Sequence, residues 1–155
     1  MKKQLLSLII VLLSLIPTYA NHISGGEMYY SFVSQAGNSY TYSVTLKLFR
    51  DPGGNGPPLE NSQNIAIFEK STNLMVWSGS VVKTQAYTTT LTTPNPCIIA
   101  PPTVTFDIAL YTFQVTLPGS QSGYIITFQR CCRLNGITNI AAPSTTAGST
   151  YTAEI

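Results

Sequence analysis

The sequence predicts an all-β fold, an antiparallel β-sandwich preceded by a signal peptide. Only 9% of the 155 residues are charged, and this composition suits strands faced with Thr, Ser and Asn better than helices faced with Glu and Lys. Apolar and polar residues alternate with period two in several segments. The chain's 10 prolines and 11 glycines supply the turns between these segments.

The first 20 residues are expected to form a secretory signal. A pair of lysines precedes the apolar residues 5–16, and Pro17 and the small-residue ending at Ala20 follow them. About 12 apolar residues are too few for a spanning helix, which needs roughly 20. We therefore expect cleavage after Ala20, a secreted or cell-surface location and no membrane span in the mature chain. Residues 21–155 then form one β-sandwich module with a hydrophobic core.

The clearest strand covers residues 40–48, where apolar and polar side chains alternate over nine positions. Further strands are predicted near residues 27–33, 65–69, 74–77, 111–117 and 124–128, with Val81-Val82 and the Thr-rich residues 84–93 extended between the third and fourth of them. The proline-rich residues 94–102 cannot form a central strand, because proline has no N–H for the ladder.

The sequence contains no complete catalytic or phosphate-binding motif. The one histidine, His22, lies near the mature N-terminus, where chains are usually loose, so no hydrolase triad is predicted. Residues 119–123 miss the Gly-x-Ser-x-Gly pattern because Gln121 is at their centre. The Gly-rich loop at residues 50–58 lacks the Gly-Lys-Ser/Thr of a phosphate-binding loop. We expect no enzymatic activity and no cofactor.

Net charge disfavours nucleic acid as a partner. The chain has 8 Lys and Arg against 6 Asp and Glu, and loss of the signal peptide's two lysines leaves 6 bases against 6 acids. No run of bases remains to neutralise a phosphate backbone. The expected partners are extracellular glycans or proteins, or other modules of a larger surface protein. Candidate residues for stacking on a sugar are Tyr29, Tyr30, Tyr87 and Trp77, although Trp77, on an apolar strand, is more often a core residue.

The three cysteines are interpreted as disulfide-forming residues, since the chain is predicted to be exported. They contain no Cys-x-x-Cys pair, so no metal site is expected. Cys131 and Cys132 would point to opposite faces if both lay on a strand, and at most one could meet Cys97. Cys132 is in phase with the apolar residues before it and is favoured, Cys131 is the alternative partner, and a strained bridge between the two adjacent cysteines remains open. A loop of about 35 residues would contribute roughly 4 kcal/mol.

Five segments together resemble a known family. They are HISGGEMYY, TYSVTLKLFRD, NPCIIAPP, GYIITFQRCCRLNGITNI and the closing Gly-Ser-Thr-Tyr at residues 148–151. They are similar to the N-terminal region of large secreted or cell-surface proteins of Bacteroidetes. Those proteins often carry PKD-type or other immunoglobulin-like modules and a gliding motility-associated C-terminal domain for type 9 export. The resemblance implies an adhesin-like or structural surface protein without known enzymatic activity.

Two features depart from the family pattern. Pro52 and Thr105 stand where cysteines are often found, and no repeat modules or sorting domain follow Ile155. We therefore expect a fragment or a truncated product, whose module is incomplete at its C-terminal end. The predicted fold is an immunoglobulin-like sandwich, and the predicted function is a non-catalytic adhesion or structural module. The alternative is a carbohydrate-binding or hydrolase-accessory domain.

Overall fold

The computed structural model describes residues 23–54, 56–91, 97, 99, 103–131, 133–134, 136–141 and 143–155. The predicted signal peptide, His22 and Cys132 lie outside these residues. In the described part, eight strands account for nearly all regular structure: β1 (Ile23–Ala36), β2 (Ser39–Arg50), β3 (Ser62–Glu69), β4 (Met75–Val82), β5 (Gln85–Leu91), β6 (Val104–Pro118), β7 (Tyr124–Arg130) and β8 (Ser149–Glu154). A short 3-10 turn, Ser144–Thr146, precedes β8. The all-β prediction is confirmed.

The strands form two four-stranded antiparallel sheets. The first sheet has the order β1-β2-β6-β5, and the second has the order β4-β3-β7-β8. β1 and β2 form one hairpin and β3 and β4 another, through the short turns at residues 37–38 and 70–74. The turn at residues 119–123 instead passes the chain from β6 in the first sheet to β7 in the second. Gly37 and Asn73 have positive φ values of 58° and 55°, which glycine and asparagine tolerate better than other residues.

The hydrophobic core lies between the sheets. In β2 the residues at every second position, Val44, Leu46 and Leu48, are fully buried, so the predicted alternation in residues 40–48 is confirmed. The facing side chains come from the central strands of both sheets and include Ile65, Ile67, Ala109, Tyr111, Val115, Tyr124, Ile126 and Phe128. Both sheets therefore bury one face against the other, as in a β-sandwich.

Several strand boundaries differ from the sequence prediction, and β1, for example, is longer at both ends than the predicted residues 27–33. Residues 74–77 and 81–82 were expected to be separate pieces, but β4 runs unbroken through Ser78 and Gly79. The indole of Trp77 lies over Gly79, where an added Cβ would come within 2.8 Å of the ring. Gly79 therefore makes room for Trp77, and is not a chain break. Likewise β6 begins at Val104, seven residues before the predicted start at Tyr111.

Candidate functional site

The four candidate aromatics do not form one site. Tyr29 and Tyr30 are neighbours on β1, so their side chains point to opposite sides of the strand. Tyr30 pairs with the buried Val44, whereas Tyr29 pairs with Thr45 on the outer face of the first sheet. Tyr87, on the opposite edge strand β5, pairs with Ile108, which in turn pairs with Phe49 on that outer face. The outer face therefore carries Tyr29 and Tyr87 but not Tyr30.

A lysine lies between these two tyrosines on the same face. Lys47 Nζ is 2.9 Å from Glu27 Oε1 and 5.1 Å from the centre of the Phe49 ring. We call the five residues Glu27, Tyr29, Lys47, Phe49 and Tyr87 the aromatic–lysine face. It combines two exposed phenol rings with one ion pair.

The electrostatics of this face keep Lys47 positively charged. The hydrogen bond to Glu27 raises the pKa of Lys47 most strongly, and its partial burial opposes that effect. The Glu27 charge and the phenol groups of Tyr87 and Tyr29 raise the pKa further, which indicates that both phenols lie near the ammonium group. Because one side chain is an ammonium and its partner a carboxylate, the pair offers both donors and acceptors to a ligand.

The other two aromatic candidates pack against protein. The rings of Tyr30 and Tyr42 meet edge to face with centres 5.8 Å apart. Trp77 is half-buried and stacks on Phe113 at 5.0 Å with an interplanar angle of 9°, and both rings pack against the core. Trp77 therefore connects the two sheets, and one of its faces is already covered by Phe113.

The cysteine positions change one step of the sequence argument. β7 ends at Arg130, so Cys131 comes after the strand, and the alternation that favoured Cys132 over Cys131 does not extend to these residues. Cys97 and Cys131 are exposed, and Cys132 lies outside the described residues. The bridge from Cys97 to Cys132 or Cys131 stays a prediction.

A polar cluster that the sequence did not indicate closes one end of the sandwich. The Arg130 guanidinium donates to the Glu60 carboxylate, and Gln63 Nε2 donates to the same carboxylate at 3.0 Å. The fully buried Tyr111 donates its hydroxyl to the Glu60 carbonyl at 2.7 Å. Partial burial alone would raise the pKa of Glu60, but the hydrogen bonds from Arg130, its own backbone N–H and Gln63 lower it to about 2. The cluster satisfies buried polar groups and stabilises the loop before β3.

Two of the cavities form further candidate binding surfaces. A cleft of about 520 Å³ at the opposite end is lined by Tyr40, Tyr42, Ser120 and the two turns that flank them. Ser120 Oγ lies 3.3 Å from Glu69 Oε1 and 3.0 Å from Ser122 Oγ, so its contacts are those of a turn serine. A shallow depression of about 440 Å³ on the outer face of the second sheet lies over the small residues of β3 and β4.

The described residues contain no group of three or more His, Cys, Asp or Glu side chains arranged to hold a metal ion. Within the same part of the chain, no helix has the length and apolar character needed to cross a membrane. Comparison of the chain with protein-family models, curated proteins and solved structures finds no match.

Proposed function

We propose that the chain is a non-catalytic immunoglobulin-like module of a secreted or cell-surface protein, which acts in adhesion or as a structural unit. The observation that carries this proposal is the strand order. Immunoglobulin-like sandwiches place strands A-B-E-D opposite C′-C-F-G. The two sheets here have the orders β1-β2-β6-β5 and β4-β3-β7-β8, which correspond strand by strand to that arrangement.

A second feature supports the immunoglobulin-like interpretation. Tyr124 is the first residue of β7, at the corner between β6 and β7, and its hydroxyl donates to the Pro118 carbonyl at 2.9 Å. A tyrosine at the start of strand F that bonds to the backbone a few residues upstream is a hallmark of these domains. Ile126, two residues later, stands where antibody domains have a disulfide cysteine, and it is fully buried.

The chain's surface chemistry suits an exported module. Hydroxyl ladders cover the outer face of the first sheet, since Thr41 and Thr45 bond to Thr116 and Thr112, each pair at 2.9 Å. Together with the predicted signal peptide, disulfide and resemblance to Bacteroidetes surface proteins with PKD-type modules, this supports a role outside the cell. Modules of this class act by binding and spacing other structures, because their loops and faces are presented on a rigid scaffold.

An attachment assay tests the adhesion function. Beads coated with the purified protein are compared with beads coated with the heat-unfolded protein, over bacterial and eukaryotic cell layers under flow. We expect attachment only with the folded protein and no chemical change in the surface. Equal attachment by both bead types would contradict an adhesion role, and release of sugar or peptide fragments would contradict a non-catalytic one.

The alternative, a carbohydrate-binding or hydrolase-accessory domain, is favoured by one observation. Tyr29 and Tyr87 come from opposite edge strands, yet both lie on the outer face beside Lys47. Such pairs of exposed rings on one sheet face suit stacking on sugars.

A further inference from the structure

We infer that the aromatic–lysine face binds an uncharged oligosaccharide. This inference rests on the proposed binding function and names the ligand class and the surface. Tyr29 and Tyr87 are 47% and 42% exposed, although aromatic side chains on a sheet usually bury most of their surface. Two such rings on one face leave apolar area that a pyranose ring, with its C–H groups, can cover.

The charge balance of the face selects an uncharged ligand. The four strands of the first sheet contain only four charged residues, Glu27, Lys47, Arg50 and Asp107. Arg50 and Asp107 pair with each other at 2.7 Å, and they are in phase with the buried Leu48, on the inner side. The outer face therefore has one ammonium and one carboxylate, which neutralise each other. A sulfated or carboxylated glycan would need Lys47 and would meet the Glu27 carboxylate beside it.

The ion pair is also suited to hydroxyl groups. Lys47 Nζ donates and Glu27 Oε1 accepts at 2.9 Å, so adjacent sugar hydroxyls can accept from one and donate to the other. Contact with the Phe49 ring and with Glu27 restricts the lysine, and this lowers the entropy that binding would cost. Gln85, exposed in the same row of the sheet as Lys47, offers a further amide.

The dimensions of the face require an extended ligand. Tyr29 and Tyr87 are three strand spacings apart across the sheet, about 14 Å, and four residues apart along it, again about 14 Å. The diagonal between their Cα atoms is therefore roughly 20 Å. A chain of several sugars spans this distance, whereas a single sugar contacts only one ring.

The test measures binding of the purified protein to neutral gluco-, manno- and galacto-oligosaccharides and to polygalacturonate as an anionic probe, by isothermal titration calorimetry. We expect binding to at least one neutral oligosaccharide and none to polygalacturonate. Tyr29→Ala and Tyr87→Ala should each weaken the affinity about tenfold, whereas Tyr29→Phe should keep it. Phe32→Ala is the matched control, because Phe32 is an exposed ring on β1 that contacts Tyr42 on the other side of the strand, and its affinity should stay within twofold.

Thermal unfolding of each variant separates lost binding from lost folding. Equal losses for Tyr29→Ala and Phe32→Ala, or tighter binding of polygalacturonate than of any neutral probe, would overturn the inference. If no neutral probe binds while beads coated with the protein still attach to cells, the adhesion function stands and this ligand class is wrong. If neither occurs, both proposals fail.

Discussion

Gly26 provides a sharp test of the packing between the two sheets, because the preceding glycine serves as its control. An added Cβ at Gly26 would lie 2.8 Å from the Lys47 carbonyl oxygen, 2.9 Å from Leu48 Cδ2 and 3.0 Å from the Tyr151 ring. The carbonyl belongs to the paired backbone of β1 and β2 and cannot move without loss of ladder hydrogen bonds. An added Cβ at Gly25 would meet only Phe49 Cδ2, at an ordinary 3.8 Å.

The two substitutions should therefore have different effects on stability. Overpacking of this kind costs about 1–3 kcal/mol. With an unfolding entropy of about 2.1 cal/mol/K per residue over about 135 residues, Gly26→Ala should lower the melting temperature by roughly 3–11 °C. Gly25→Ala should be neutral or stabilise by about 0.5 kcal/mol, because it restricts the unfolded chain. Urea unfolding and calorimetry measure both variants. A difference between them of less than about 0.5 kcal/mol would refute the tight contact between Gly26 and its neighbours.

Two further predictions concern hydrogen bonds. The pKa of Glu60 in the folded protein is lowered from 4.5 to about 2, so its contribution is present above pH 4.5 and is lost as the pH falls towards 2. Because the Glu60 side chain is 39% exposed, we expect solvent screening to limit this contribution to about 1 kcal/mol. Urea unfolding from pH 6 to pH 2.5 should show this loss in the wild type and not in Glu60→Gln, and parallel pH profiles would contradict it. Tyr124→Phe should lower the free energy of unfolding by about 1 kcal/mol, because it removes the hydrogen bond to the Pro118 carbonyl. The Tyr151 ring stacks on Phe128, and its hydroxyl makes no hydrogen bond within the described part of the chain, so Tyr151→Phe should leave the free energy of unfolding nearly unchanged. Equal losses in the two variants would contradict a stabilising hydrogen bond at the Tyr124 corner.

Local sequence patterns were sufficient to predict a strand where one face of that strand is apolar and the other is polar. Residues 40–48 alternate cleanly because β2 buries one side against the core and leaves the other to Thr, Ser and Lys. The first half of β6 was missed for a different reason. Residues 104–110 also alternate, but their large apolar side chains, such as Phe106 and Ile108, lie on the outer face. From Ala109 and Tyr111 onward the apolar side chains face the core, so the period-two pattern changes phase inside a single strand.

Pairings between distant residues could not be read from the sequence. Glu60 and Arg130 are 70 positions apart, and their contact depends on β3 lying beside β7 in the register that pairs Ile67 with Ile126. The aromatic candidates illustrate the same limit. The alternation of side chains along a strand is enough to place Tyr29 and Tyr30 on opposite faces. Only the strand order of the sheet shows that Tyr87 lies on the same face as Tyr29.

The aromatic–lysine face obtains its rigidity from the core. Lys47 lies between Leu46 and Leu48, which are both fully buried, so the backbone that carries it is fixed by packing on the opposite side of the sheet. β2 is also a central strand with partners on both sides. Tyr29 and Tyr87, in contrast, belong to edge strands with one partner each. A ligand that spans the face would therefore contact a fixed ion pair at its centre and more adaptable rings at its ends, an arrangement that suits glycan chains of variable shape.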